Sequence, residues 1–254
     1  MKPKSNVGAV LVIVILVSIC ISCGPERQRL AVAFVIDLTG SIDQEATQEA
    51  LASLNPLFEK KRLQRGDSLY VIPITGDTLT ESQGHILRFH LSEKREVYDS
   101  DLQELAKEVK DRVAEMRTAA MANPYKHSDI LGAAGLAAEE LSLEKGNVSK
   151  KIVILSDFIQ DDSRYNFNTH ADLASESSAA ELAKRLTEKS KKPFENTELF
   201  LGILRSKDLR KMNYGKRVGL QSFWQHYFEL SGARSLSWAT DGPGQIAAVL
   251  QRVE

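Results

Sequence analysis

The sequence predicts an α/β fold: a doubly wound, mostly parallel central sheet with helices on both faces, forming a three-layer sandwich. Residues 30–36 form an unbroken, Val- and Ile-rich apolar run, which is typical of a strand buried on both faces. Residues 150–157 and 198–204 predict two further core strands. Amphipathic segments separate these runs, and alternation of strands with helices is the pattern of parallel sheets.

The remaining elements follow from hydrophobic periodicity and turn residues. We expect further strands at residues 68–74, 84–91 and 235–239, and helices at residues 42–65, 99–121, 129–141, 173–190, 217–231 and 243–253. Pro56 should kink or restart its helix. Pro73 fits an edge or a strand end better than a central position. The aromatic residues of the 217–231 helix are expected to pack in the core.

Composition indicates one folded domain, which we assign to residues 30–254. The chain has 254 residues, of which 43% are hydrophobic and 26% are charged, and its formal net charge is −1. This is enough chain for a sizeable core. No basic stripe is interleaved with stacking aromatic residues, so the sequence gives no indication of a nucleic-acid partner.

The first residues differ from the rest. Lys2 and Lys4 precede an apolar block at residues 7–19, which has the length of a secretory signal rather than of a transmembrane helix. Ser22-Cys23 then resembles the bacterial lipobox. That resemblance implies a signal peptide over residues 1–22, cleavage before Cys23 and lipidation of Cys23. A plain signal peptide or an uncleaved anchor is the alternative.

A lipid on Cys23 would hold the protein at a membrane of the bacterial cell envelope through a short tether, residues 23–29. The six residues before the first strand span about 20 Å at most. Gly24 after Cys23 favours the outer membrane where a cell has two. Cys20 and Cys23 are the only cysteines, so the domain itself can be neither a cysteine enzyme nor a thiolate zinc site.

Three oxygen-bearing side chains follow the first predicted strand at alternate positions: Asp37, Thr39 and Ser41. Residues i, i+2 and i+4 of an extended segment point the same way. Ligands of open α/β sheets bind beyond the carboxyl ends of the strands. Hard oxygen ligands in this number suit Mg²⁺, which binds few protein oxygens and keeps several waters.

This D-x-[ST]-x-S pattern resembles the metal-ion-dependent adhesion site of the von Willebrand factor A domain. The family's second element has a counterpart at residues 127–133, with Ser128 where Thr is commoner. Its third has a counterpart at residues 152–157, ending in Asp157, with Phe158 where Gly is usual. The resemblance implies a divalent cation, Mg²⁺ or else Mn²⁺ or Ca²⁺, and a protein partner that supplies an Asp or Glu to it. The ligands it implies are Asp37, Thr39, Ser41, Ser128 and Asp157.

Two other interpretations remain open. The segment Asp37–Ser41 also resembles the D-x-[DT]-G-[ST] motif of haloacid dehalogenase-like phosphotransferases, in which Asp37 would be the nucleophile. That family has an Asp general acid where this chain has Thr39, and it needs a Lys facing the phosphate. Alternatively, the fold is a metal-free scaffold in which Asp37 merely caps a helix.

Other acidic residues receive structural roles. We expect Asp43 and Asp129 to be helix-start residues, and Asp161 and Asp162 to be solvated loop charges. The five histidines show no metal-ligand spacing, although His127 is placed to border the site.

Overall fold

The computed structural model describes residues 27–59, 62–76, 78, 85–122, 127–188 and 191–239. The predicted signal peptide, Cys23 and the predicted last helix at residues 243–253 lie outside the described residues. Among the helices of the described part, none combines the length and the apolar character needed to cross a membrane.

The described residues form one six-stranded sheet, and the predicted fold class is confirmed. The strands are β1 (Arg29–Asp37), β2 (Ser68–Ile74), β3 (Leu87–His90), β4 (Val148–Ser156), β5 (Thr197–Ile203) and β6 (Ser235–Ala239). Their spatial order is β3-β2-β1-β4-β5-β6. The β3 strand is antiparallel to β2, and the other neighbours run parallel. The β1 strand lies in the middle, where the order of the strands reverses.

Helices connect the strands and cover the sheet. They are α1 (Gln44–Ala52), α2 (Asp99–Ala122), α3 (Ile130–Ser142), α4 (Glu176–Thr187), α5 (Lys207–Lys211) and α6 (Tyr214–Leu230). Short 3₁₀ helices occur at Asn55–Phe58 and Ala171–Ala174. The sequence did not predict α5.

Two separate cores lie on the two faces of the sheet. In β1, Ala33 and Val35 belong to the core beneath α3, α4 and α6, whereas Phe34 and Ile36 belong to the core beneath α1 and α2. This alternation follows from the two-residue period of a strand. Because β1 is covered on both faces, its sequence is a continuous apolar run rather than an alternating one.

The two prolines behave as their chemistry requires. Pro56 stands in the first turn of the 3₁₀ helix that follows α1, so the predicted helix at 42–65 is interrupted and restarts there. Pro73 lies in β2, which has neighbours on both sides, but the pairing with β3 ends at Val71. Pro73 therefore occupies the part of β2 beyond its edge neighbour, where a missing N–H does not break a ladder.

The aromatic residues of α6 form part of the core, as predicted. Phe223, Trp224 and Phe228 are fully buried, and Tyr227 packs against them. The indole N–H of Trp224 donates to the carbonyl oxygen of Phe158, at 2.8 Å. This bond connects α6 to the segment that follows β4, which carries Asp157.

Candidate metal centre

The five side chains singled out from the sequence lie at one edge of the sheet, beyond the carboxyl ends of β1, β4 and β5. A cleft of about 120 Å³ opens there. Its lining consists of Thr39, Gly40, Ser41, Ser128, Asp157, Ile159, Asp161, Asn168 and Asp208. Four of the five predicted ligands line the cleft directly. The fifth, Asp37, lies just behind Thr39.

Asp37 is completely buried and is held by three donors. Its Oδ1 atom accepts from the backbone N–H of Thr39 at 3.0 Å and from the Thr39 hydroxyl at 2.6 Å. Its Oδ2 atom accepts from the Ser156 hydroxyl at 2.7 Å. Burial raises the pKa of Asp37, and the bonds from Thr39 and Ser156 oppose that rise.

The strand register explains why Ser156 reaches Asp37. Ile36 of β1 pairs with Leu155 of β4, and Asp37 and Ser156 are the next residues of the two strands. Directly opposed residues lie within about 4.5–5.5 Å of each other at Cβ. The sequence analysis missed Ser156, although its place immediately before Asp157 at a strand end was a usable signal.

The hydroxyl groups form a chain that ends on Asp37. The Thr39 hydroxyl has one proton, and its short bond to Asp37 uses it. Thr39 Oγ1 therefore acts as acceptor for the hydroxyls of Ser41, at 3.0 Å, and Ser128, at 3.2 Å. With their protons directed at Thr39, Ser41 and Ser128 keep oxygen lone pairs available to the cleft.

Asp157 brings a second buried carboxylate to the same place. It is 2% exposed, and its Oδ1 atom accepts from the Ile159 N–H at 3.0 Å. Burial, followed by the negative charge of Asp37, raises the pKa of Asp157 to about 7. Among the described residues, neither Asp37 nor Asp157 forms an ion pair with a Lys, Arg or His.

The loop that carries Ser128 is fixed on both sides. The backbone N–H of Ser128 donates to Asp161 O at 2.7 Å, and the N–H of Asp161 donates back to Ser128 O at 2.9 Å. Asp129 is the N-cap of α3, as predicted, and accepts from Gly132 N–H at 2.9 Å. The buried side chain of Gln160 donates to Asp129 and accepts from Leu131 N–H. The Ser128 hydroxyl is thereby positioned before any ligand arrives.

Phe158 shows why glycine is usual at its position. Its φ angle is +61°, in the left-handed region that side chains rarely adopt. The ring is 1% exposed and packs against Trp224 and Trp238, with centroids 5.8 and 5.1 Å away. Burial of the ring offsets the backbone strain, which costs on the order of 1–2 kcal/mol.

The expectation for the loop acids needs correction. Asp161 and Asp162 are not solvated loop charges, since both are engaged in the loop after β4. Asp161 lines the cleft and contacts His127 Nδ1 at 3.2 Å and Asn166 Nδ2 at 3.0 Å. Asp162 accepts from two backbone N–H groups and from Arg164. The loop folds around these carboxylates, which a local pattern of polar residues does not reveal.

Asp43 stands at the N-cap position of α1, but its side chain makes no capping bond. It pairs instead with Arg210 of α5 at 2.5 Å. Asp208 and Asn168 also line the cleft and were not anticipated. For Asp208 the available signal was Ser206 followed by an acidic residue, a helix-start pattern that places Asp208 directly after β5.

The donor set of the cleft fits a hard divalent cation. It offers hydroxyl oxygens from Thr39, Ser41 and Ser128 and carboxylates from Asp37 and Asp157, with no sulfur or imidazole among the lining residues. Within the described residues, no three acidic, His or Cys side chains come close enough together to hold a metal by themselves. The hydroxyls would therefore have to complete the coordination, with water.

The residues required by the phosphotransferase interpretation are not brought together. Asp37 is 0% exposed, and both of its carboxylate oxygens already accept hydrogen bonds, so it is not presented as an accessible nucleophile. Lys150 and Lys151 lie near the start of β4, about 16 Å along the strand from the cleft. Lys151 is paired there with Glu198 at 2.9 Å.

No family model matches the sequence, and no curated protein matches it. Solved structures with a similar chain path include an aerotolerance-related membrane protein from Bacteroides fragilis, at 13% identity and a TM-score of 0.46, covering 88% of this chain and 97% of that one. Manganese-loaded TRAP protein from Plasmodium vivax is 15% identical with a TM-score of 0.45, covering 89% and 72%. BatB from Bacteroides thetaiotaomicron is 12% identical with a TM-score of 0.40, covering 87% and 96%.

Proposed function

We propose that this protein is an exported lipoprotein of the bacterial cell envelope whose α/β domain binds a divalent cation and uses it to hold a protein partner. The observation that supports this most is the buried pair Asp37 and Asp157. Two carboxylates share a hydroxyl-lined cleft, and no cation from the described residues balances them. Mg²⁺ is the preferred ion, with Mn²⁺ or Ca²⁺ as alternatives.

Each residue of the proposed site would have its own role in binding the cation. Ser41 and Ser128 would offer hydroxyl lone pairs to the ion, and Thr39 would orient both of them. Asp157 and Asp37 would supply the balancing charge, with Asp37 acting through its hydrogen-bonded neighbours or through water. The bound ion would act as a Lewis acid that accepts a carboxylate oxygen from an Asp or Glu of the partner, as the resemblance to von Willebrand factor A domains implies.

The direction of β1 suits a membrane anchor. The strand runs from Arg29, next to the proposed tether, to Asp37, at the cleft. A lipid on Cys23 would therefore lie at the edge of the sheet opposite to the cleft, and the cleft would face away from the membrane. Substituting Cys23→Ser should move the protein from the membrane fraction to the soluble fraction. Unchanged membrane retention of the variant would contradict the lipid anchor and leave the cation site untouched.

The central experiment is calorimetric titration of the chelator-treated mature domain with Mg²⁺, alongside capture of envelope proteins with and without the ion. We expect saturable uptake in the micromolar to millimolar range and capture that chelator reverses. Absence of uptake at millimolar Mg²⁺ would favour the metal-free scaffold. Treatment with beryllofluoride tests the phosphotransferase interpretation. That interpretation makes Asp37 the nucleophile, so a beryllofluoride adduct on Asp37 would support it.

A further inference from the structure

Asp208 is an acidic residue of the cleft that the D-x-[ST]-x-S pattern does not include. It belongs to α5, which follows β5, whereas the predicted ligands come from the loops after β1, before α3 and after β4. Its side chain lines the same cleft as Asp157, Ser41 and Ser128. The cleft therefore receives side chains from a fourth segment of the chain.

The position of Asp208 is fixed by its surroundings. The fully buried Ser206 caps α5 by accepting from Leu209 N–H at 3.0 Å. Ser206 also forms a β-bridge with Ile42, in the segment that follows Ser41. The α5 helix is thus tied to the loop that carries the first three predicted ligands, which holds Asp208 beside the cleft.

Within the described part of the chain, the carboxylate of Asp208 has no partner of opposite charge. Among the described residues it forms neither an ion pair nor a side-chain hydrogen bond, although it is half-buried. The neighbouring acids differ, because Asp43 is paired with Arg210 and Asp161 contacts the side chains of His127 and Asn166.

We propose that Asp208 is a further member of the cation site, acting across the cleft on the waters of the bound ion rather than as a direct ligand. Among the described residues, Asp37, Asp157 and Asp208 do not form a group of three acids that could hold an ion by themselves. A hydrated Mg²⁺ keeps several waters, and those waters need acceptors. Asp208 supplies an acceptor and a negative charge, as outer carboxylates of metal sites commonly do. This inference rests on the proposed cation site.

The test is titration of the full mature chain with Mg²⁺ alone, in wild type and in Asp208→Asn, Asp208→Glu and Glu49→Gln. We expect Asp208→Asn to weaken Mg²⁺ binding about tenfold and Asp208→Glu to restore most of it. Glu49→Gln removes the same formal charge from an exposed residue of α1 outside the cleft, so it should change the affinity less than about twofold.

Salt provides a second readout that a merely structural role would not affect. Because Asp208 acts across water, its effect should shrink as KCl rises from low to high concentration. Equal Mg²⁺ affinities for wild type and a folded Asp208→Asn variant would overturn the role proposed for Asp208 but not the proposed cation site. Failure of the wild type to bind Mg²⁺ would instead overturn the proposed function itself.

Discussion

Two fully buried aspartates, at opposite edges of the same sheet, have opposite surroundings. Asp67, immediately before β2, accepts from Arg27 at 2.8 Å and from the backbone N–H groups of Leu30 and Gln64. Asp37, at the end of β1, accepts from neutral hydroxyls and one backbone N–H, and its charged neighbour is another carboxylate. The first aspartate is balanced within the protein. The second has no cationic partner among the described residues.

Two other buried charges of the domain, Glu140 and Lys151, resemble Asp67 rather than Asp37. The guanidinium of Arg88 donates two hydrogen bonds to the carboxylate of Glu140 in a bidentate ion pair, with N–O distances of 2.6 and 2.9 Å. Lys151 pairs with Glu198. Burying an unpaired charge is costly, so most buried charges have partners. Among the described residues, Asp129 is also buried without an ion pair, but Asp37 and Asp157 are two such carboxylates close enough to influence each other beside one cleft, and a pair of this kind marks a candidate functional site.

The largest expected effect comes from removing Asp37. Asp37→Ala deletes the group on which the chain of hydroxyl donors ends, and Thr39, Ser41 and Ser128 lose their common orientation. We expect Mg²⁺ affinity to fall about a hundredfold or more by calorimetry, with circular dichroism unchanged. If the Asp37→Ala domain binds Mg²⁺ as tightly as the wild type, then Asp37 does not contribute to cation binding, and the contrast drawn with Asp67 is wrong.

The pH dependence of stability should differ between the metal-free and metal-bound states. The pKa of Asp157 in the folded, metal-free protein is about 7, against an ordinary value of 3.8. The folded state therefore binds more protons between these values, and its stability falls as pH rises from about 4 through 7. The slope contributed by this group is at most about 1.4 kcal/mol per pH unit.

Saturating Mg²⁺ should abolish that loss, because the ion competes with protons for the same carboxylate. Denaturant unfolding at pH 5, 6, 7 and 8, with chelator and with Mg²⁺, measures both curves. Mg²⁺ should stabilise the protein more at pH 8 than at pH 5. Parallel curves, or a larger Mg²⁺ effect at pH 5, would show that Asp157 is not the group that binds the ion.

Isosteric substitutions of the two kinds of aspartate should have opposite signs. Asp67→Asn leaves Arg27 without its partner and should cost roughly 2–3 kcal/mol. Asp157→Asn removes the repulsion from Asp37 and should stabilise the metal-free protein at pH 8 by about 1–2 kcal/mol. Urea unfolding in chelator measures both, and two variants destabilised alike would contradict the assignment.

The smallest effect is expected at Ser128, the position at which the resemblance to von Willebrand factor A domains would lead us to expect Thr. Ser128→Thr keeps the hydroxyl and should leave Mg²⁺ affinity within about threefold of wild type, while Ser128→Ala should weaken it by about three- to tenfold. Calorimetry on the two variants shows whether the Mg²⁺ affinity depends on the hydroxyl at position 128, because Thr keeps that hydroxyl and Ala lacks it. Equal affinities for Ser128→Ala and wild type would show that this hydroxyl does not serve the ion.

Local sequence was sufficient for much of the fold. The continuous apolar run of β1, the strand at Ser68–Ile74 and the strand at Ser235–Ala239 were predicted with their observed bounds or within a residue or two. The long α2 helix was likewise evident from its stripe of buried residues. The five-residue α5 was missed because one turn and a half carries too little periodicity to be recognised.

The residues of the candidate site were likewise predicted only in part from local sequence. Asp37, Thr39 and Ser41 could be found because three oxygen-bearing residues spaced two apart at a strand end are a local pattern, although residues 39–41 form a bend and a turn rather than the extended segment that the sequence predicted. Ser128 and Asp157 were found only through the resemblance to a family, and Ser156 and Asp208 were not found. Ser156 becomes relevant through the register of β1 against β4, and Asp208 through the packing of α5 beside the first loop.

The sequence by itself therefore determined the class of fold, the central strand and the oxygen-bearing residues at its end, since these depend on side-chain periodicity along the chain. Only the tertiary structure decided that Asp37 and Asp157 are buried together without a cationic partner among the described residues. Charge balance is a property of three-dimensional neighbours, and residues up to 169 positions apart, such as Thr39 and Asp208, line one cleft only because parallel strands end at the same edge.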